Sequence, residues 1–270
     1  MHLESIHIYP VKSARGLTLD RAVVDARGLR WDRRWVLVDG EGSFVTQREL
    51  AALATLETAL DDARLLLHRD GFGSLALPLT PSPDAARAQV VVWGDRCDAI
   101  DCGEPSAEWL SRAFSQPLRL LFMPDDSLRA VDPRYARDGD ITSFSDGFPV
   151  LIATSASLSE LQSHIAGEIP MNRFRPNLVI ADSEPWEEDD WANVSIGSVP
   201  FRVVKPSARC VITTTDQLTG ARGHEPLATL AKLRSVDHKV LFGQNAIPDA
   251  SGWVAVGDRV EIKARRVNAT

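Results

Sequence analysis

The chain has 270 residues, 44% hydrophobic and 25% charged, an ordinary globular balance that argues against disordered, collagen-like or fibrous architectures. Its longest apolar stretches, 118–123 with Arg119 inside it and 149–153, fall far short of the ~18 residues of a spanning helix, so no membrane segment is expected. Lys and Arg total 30 against 37 Asp and Glu, and the net charge of −7 argues against a nucleic-acid or anionic-membrane binder, although an acidic total can hide a basic pocket.

Along the first 120 residues, short alternating segments punctuated by turn residues predict strands of a barrel or sandwich. Ile6 and Ile8 share one strand face, and residues 17–19 begin another strand. Residues 35–38 turn at Asp39-Gly40-Glu41-Gly42 into 43–46 as a hairpin. Further strands are expected at 64–68 and 74–77 around Asp70-Gly71-Phe72-Gly73, and at 89–93 and 96–101 around Gly94-Asp95. Ala107, Leu110, Ala113 and Phe114 recur at helical spacing, and 118–123 reads as a strand. Residues 125–140, charged and poor in apolar side chains, mark a junction or surface loop. Beyond it come a strand near 150–153, a helix capped by Ser155 or Ser157 with Leu158, Leu161 and Ile165 as its stripe, and a strand at 178–180. A hairpin turns at Gly197-Ser198, a helix starts near Pro226, and late strands lie at 240–242 and 260–262. The run 184–190 is read as a solvated acidic loop, with partner docking as the alternative. The fold class is mixed α+β and β-rich, with domains at 1–123 and 124–270.

Three cysteines are too few and too odd in number for a disulfide framework, and too few to ligate an iron–sulfur cluster. Cys97 and Cys102, five residues apart on a strand, face opposite ways and have no His nearby, so they are read as packing thiols. Cys210 differs. Its segment carries Arg202, Lys205 and Arg209 with no acid before Asp216, and positive charge favours the thiolate, which is both nucleophile and soft metal ligand. A small buried hydrophobe remains the alternative. No H-E-x-x-H, Walker loop, G-x-G-x-x-G or G-x-S-x-G occurs. Basic residues instead recur beside backbone-restricting ones, in Pro10-Val11-Lys12-Ser13, Asp32-Arg33-Arg34-Trp35 and Asn172-Arg173-Phe174-Arg175-Pro176-Asn177. An anionic ligand would use such a set if the fold assembles it.

These segments, with Thr46-Gln47-Arg48-Glu49, Ser145-Asp146-Gly147-Phe148-Pro149 and Lys205-Pro206-Ser207-Ala208-Arg209-Cys210, occur in an order that resembles the family joining an N-terminal β-barrel domain to a molybdenum cofactor sulfurase C-terminal (MOSC) domain. Members include the mitochondrial amidoxime-reducing component. The resemblance covers nearly the whole chain. It implies an N-terminal β-barrel-like domain and a MOSC β-barrel domain with flanking helices, holding a pyranopterin molybdenum cofactor between them.

On this resemblance Cys210 is the metal ligand, and Lys12, Arg34, Ser145, Arg173, Arg175, Asn177, Ser207 and Arg209 hold the cofactor. Asp146 is a candidate for proton handling near the metal, with structural capping or pairing with an Arg as the alternative. The implied reaction is two-electron reduction of N-hydroxylated compounds such as amidoximes, hydroxylamines and N-hydroxylated bases. A carrier of the cofactor, or sulfur transfer through a Cys210 persulfide, are the alternatives. The chain ends at Thr270 without an iron–sulfur domain, so a separate redox protein is expected to supply electrons. The start, Met1-His2-Leu3-Glu4-Ser5, lacks the features of a secretory signal or membrane anchor, and a cytoplasmic location is expected.

Overall fold

The computed structural model describes residues 1–82 and 84–266. Strands dominate. The first part of the chain forms β1 (His2–Ile8), β2 (Leu17–Leu19), β3 (Arg21–Asp25), β4 (Gly28–Leu29), β5 (Trp35–Val38), β6 (Glu57–Leu60), β7 (Arg64–Arg69), β8 (Gly73–Pro78), β9 (Arg87–Val92), β10 (Asp95–Asp101), α1 (Glu104–Phe114) and β11 (Arg119–Phe122). The second part forms β12 (Arg129–Ala130), β13 (Ile141–Thr142), β14 (Val150–Thr154), α2 (Ser155–Gln162), β15 (Leu178–Ala181), β16 (Trp191–Ile196) and β17 (Val199–Ala208). It ends with α3 (Leu227–Leu233), β18 (Ser235–Val236), β19 (Lys239–Pro248), β20 (Gly252–Ala255) and β21 (Val260–Arg265). The mixed, β-rich class is as expected, and no described helix is long and apolar enough to cross a membrane.

The largest sheet runs β2-β1-β15-β14-β19-β17-β16-β21, with β18 paired to β19. Its first strand comes from the opposite end of the sequence to most of its partners: Ile6 of β1 sits opposite Leu178 of β15. A second exchange pairs β20 with β3, Trp253 opposite Val23. A division at 123/124 therefore separates two stretches of sequence that are joined across it by two pairings of these strands among the described residues. The reason is hydrophobic: Leu3, Ile6, Ile8 and Val24 pack in one cluster with Ile152, Leu178, Trp191, Phe201 and Val254, all buried. The barrel-like part has its own core of Val11, Trp35, Leu53, Leu65, Leu110 and Leu120 under β5 to β8 and α1.

Several local expectations change. β5 meets residues 43–46 only through the Val38–Phe44 bridge and adjoining backbone bonds, and its full-length partner is β11, with Leu37 opposite Leu120. The cap of α2 is Thr154, whose Oγ1 accepts from the Ser157 N–H at 3.1 Å, rather than Ser155 or Ser157. The acidic run is not a simple solvated loop. It folds into a 3-10 turn, Glu187–Asp190, with Glu188 fully buried and accepting from Ser157 Oγ (2.8 Å) and Thr154 Oγ1 (3.0 Å). Cys97 packs in a cluster with Val36, Val90 and Leu121, while Cys102 borders the separate core under α1, in line with their opposite faces.

Candidate functional site

A cleft of about 310 Å³ opens between the two parts of the chain. Lys12, Ser13, Arg33, Thr46 and Arg48 line it from one side. The other side carries the loop 145–148, Phe174, Arg175, Asn177, the continuous run 205–210, Ile212 and Asn245. A regular strand presents alternate side chains, yet here six consecutive residues reach one cavity. The register of β17 against β19 slips between Val203 and Lys205 and again between Pro206 and Ala208, and such irregularities re-aim side chains. Cys210 follows directly, with its thiol free and partly exposed.

Six cations, Lys12, Arg33, Arg48, Arg175, Lys205 and Arg209, face this cleft against the single carboxylate Asp146. The overall charge of −7 thus conceals a strongly positive cavity. Lys12 is pinned by its backbone N–H to Trp35 O at 2.8 Å, and its buried Nζ donates to Phe144 O (2.8 Å) and Asp146 Oδ1 (2.6 Å). Asp146 is met as well by the Trp93 indole N–H at 3.1 Å and lies 3.7 Å from Arg48. Crowding by its neighbours pushes the Asp146 carboxyl up even though 63% of its side chain is open to solvent, but Lys12, Arg48 and Trp93 outweigh this and hold the group below the usual carboxylate range. Held by Lys12, Arg48 and Trp93, Asp146 has the geometry of an ion-pair partner.

Tyr9 organises two of the arginines. The Arg33 and Arg175 guanidinium carbons lie 4.4 and 4.1 Å from its ring centroid, and its hydroxyl donates to Pro176 O at 3.1 Å. Burial, together with nearby Arg33, pushes Arg175 below the usual arginine value. Arg175 Nη1 donates to Ala14 O (2.7 Å), while its buried Nη2 has no protein partner. Arg209 repeats the pattern: Nη1 and Nη2 donate to Ser207 Oγ and Phe174 O, and the buried Nε is unpaired. Buried donors without acceptors are costly, and an anion in the cleft is the direct remedy.

The expected residues divide. Lys12, Ser145, Asp146, Arg175, Asn177, Ser207, Arg209 and Cys210 all line the cleft. Asn177 spends its side chain on structure, donating to His7 O (3.1 Å) and accepting from Leu151 N and Arg33 Nη1 (both 3.0 Å). Ser145 Oγ donates to Phe148 O at 2.8 Å, which shapes the loop carrying Asp146. Arg34 and Arg173 do not line the cleft. Arg34 donates to Met123 O (Nε, 3.0 Å) and pairs with Asp125, bolting β5 to the end of β11. Arg173 pairs with Asp216 at 3.1 Å. Arg33 takes the place expected for Arg34 because Trp31 and Arg33 both have positive φ (69° and 49°), and no alternation pattern survives such a turn. Arg48 and Lys205, in motifs already noted, and Trp93, which no motif contained, were the residues missed.

The chemistry of this donor set fits a phosphorylated cofactor that brings a metal with it. Among the described residues no three of His, Cys, Asp and Glu gather as a multidentate metal site, so Cys210 is a lone sulfur donor in the cleft, beside cations that suit an anionic tail.

Residues 1–117 match the MOSC N-terminal beta barrel domain and residues 139–261 the MOSC domain. The chain is 34% identical to mitochondrial amidoxime-reducing component 1 of Homo sapiens over 94% of its own length and 80% of that protein. It is 29% identical to mitochondrial amidoxime reducing component 2 of Bos taurus, covering 96% of this chain and 82% of that protein. It is also 32% identical to a molybdenum cofactor sulfurase of Danio rerio, covering 89% of this chain and 31% of the larger protein.

Proposed function

Because the chain belongs to the MOSC family with an N-terminal MOSC β-barrel domain, we propose that it is a molybdenum cofactor-dependent reductase of N-hydroxylated compounds, amidoximes, hydroxylamines and N-hydroxylated bases among them. The observation that carries this reading is the convergence of the Cys210 thiol with six cations from both parts of the chain in one cleft. Cys210 would ligate the metal. Lys12, Arg33, Arg175, Ser207 and Arg209 would hold the phosphate and pterin, with the free N–H groups of Arg175 and Arg209 as the strongest claims. When bound, the cofactor supplies the two-electron chemistry that removes oxygen from nitrogen. Electrons would come from a separate redox protein.

The chain's own residues do three things. Tyr9 and Asp32 hold Arg33 and Arg175 apart from each other yet facing the cleft: Asp32 accepts the Tyr9 N–H at 2.8 Å and pairs with Arg33. Lys12 and Arg48 keep Asp146 ionised, so that the negative charge in the cleft stays at a fixed place. Phe148, Leu151, Phe174 and Ile212 supply apolar wall, which limits water at the reacting end.

The test is metal and pterin analysis of protein made in a host that synthesises the cofactor, followed by reduction of an amidoxime with an artificial electron donor. Molybdenum near one per chain and turnover are expected. Wild-type protein without molybdenum defeats the reading, and bound molybdenum without turnover favours a carrier. Cys210→Ser, a similar-sized but harder ligand, is expected to abolish reduction with the fold retained; full activity in that variant removes Cys210 from the ligand role.

A further inference from the structure

Trp93 occupies a position that its sequence neighbours do not explain. It forms the tip of the β9–β10 hairpin with Gly94, and both residues have positive φ, 54° and 98°. Such turns favour Asn and Gly, and a bulky side chain there is strained. Half of the Trp93 side chain is also exposed, at 50%. The compensation lies across the molecule. The indole N–H donates to Asp146, the Arg48 guanidinium carbon lies 4.6 Å from the ring, and Phe44 meets it edge-on at 5.0 Å and 75°. Lys12 Nζ lies 5.8 Å from the Phe44 ring. Three residues of the cleft lining, Lys12, Arg48 and Asp146, thus fix a pair of aromatic rings that adjoin the lining without being part of it. Other exposed aromatics, Phe72 and Trp253, have no tie to the cleft lining.

We propose that Trp93, supported by Phe44, is a specificity-determining wall of the substrate entrance that stacks on the planar, apolar part of an N-hydroxylated substrate. The inference rests on the reductase reading above and adds to it a preference for aromatic and heteroaromatic substrates over small aliphatic ones. A ring already immobilised on several sides loses little freedom on binding, so most of the stacking contact is retained as affinity.

The test compares benzamidoxime with acetamidoxime, which share the reacting group and differ in the ring. In cofactor-loaded protein, Trp93→Leu is expected to lower the ratio of kcat/KM for benzamidoxime over acetamidoxime by roughly 2- to 12-fold, through KM, the range of one aromatic pair. Trp93→Phe, which keeps a ring but lacks the N–H, is expected to keep most of that ratio. A second readout is independent of turnover: benzamidoxime titrated into loaded protein with no electron donor, followed by isothermal calorimetry, is expected to bind more weakly to Trp93→Leu by the same factor. A ratio unchanged in Trp93→Leu overturns the inference. So does an equal loss in Trp93→Phe and Trp93→Leu, which would assign the effect to the Asp146 hydrogen bond. If loaded wild-type protein reduces neither compound, the reductase reading fails, and the calorimetric comparison still decides whether Trp93 contacts the ring.

Discussion

Tyr9→Leu, set against Tyr9→Phe, probes how the cleft tolerates its own positive charge. Tyr9→Phe removes the hydroxyl bond to Pro176 O and is expected to cost about 1 kcal/mol of stability. Tyr9→Leu also removes the ring beside which both Arg33 and Arg175 lie, within 4.4 Å of its centroid. The Arg33 and Arg175 side chains are largely buried, so each cation–π contact is expected to contribute ~1–2 kcal/mol, and the pair ~2–4 kcal/mol beyond the hydroxyl. At roughly 2–4 °C per kcal/mol for a chain of this size, Tm falls by about 2–4 °C for Tyr9→Phe and by about 6–20 °C for Tyr9→Leu. Differential scanning fluorimetry, checked by urea unfolding, measures both. A Tyr9→Leu variant no less stable than Tyr9→Phe would show that the ring does not hold the two guanidiniums.

Gly28 has φ +94°, and a Cβ there would lie 2.4 Å from Pro149 O, a backbone atom that cannot swing aside. Gly28→Ala is expected to cost about 2–5 kcal/mol in urea unfolding, from backbone strain and overpacking together; a loss below 1 kcal/mol would contradict the close approach. Arg33→Gln should weaken inorganic phosphate binding by calorimetry, whereas Arg34→Gln should lower Tm and leave phosphate affinity near wild type, and the reverse outcome would exchange their roles. Burial raises the pKa of Glu188 against the pull of its Ser157 and Thr154 hydrogen bonds. A raised carboxyl favours the fold in its protonated form, so its contribution is complete below the unfolded value of ~4.3 and is lost as pH rises toward the folded value. Urea midpoints of wild type are therefore expected to fall relative to Glu188→Gln as pH rises from 4, and parallel curves would refute the assignment.

The barrel-like strands, α1 and the Gly197-Ser198 hairpin were legible because alternation and turn chemistry are local. So was the set of motifs that meets in the cleft, since Lys12, Arg175 and Cys210 each lie within four residues of a proline, Pro10, Pro176 and Pro206, in a segment rich in basic residues. Pairings were not legible. Nothing around Ile6 names Leu178 as its partner, and the alternation at 35–38 points to the turn into 43–46, which forms, but not to β11 on its other side. The choice between Arg33 and Arg34 turned on two positive φ angles in non-glycine residues, which composition does not reveal. In the acidic run charge alone implies solvent, whereas Glu188 faces inward onto two hydroxyls that only the folded chain supplies.

The pairing of β1 with β15 also has a consequence for the order of events during synthesis. Ile6 must wait for Leu178, some 170 residues later, before its strand is completed, roughly 10–35 s at ordinary rates of translation. Through that interval Leu3, Ile6 and Ile8 of the nascent chain have only β2 beside them, Ile6 opposite Leu19, and lack the rest of the cluster they pack in. Much of the barrel-like core, from Trp35 to Leu120, can close on the ribosome while the leading strand is paired on one side only. The cleft takes its lining from both ends of that interval, Lys12 and Arg33 early and Arg175, Lys205 and Arg209 late, so its positive charges cannot be gathered until the late residues have been made.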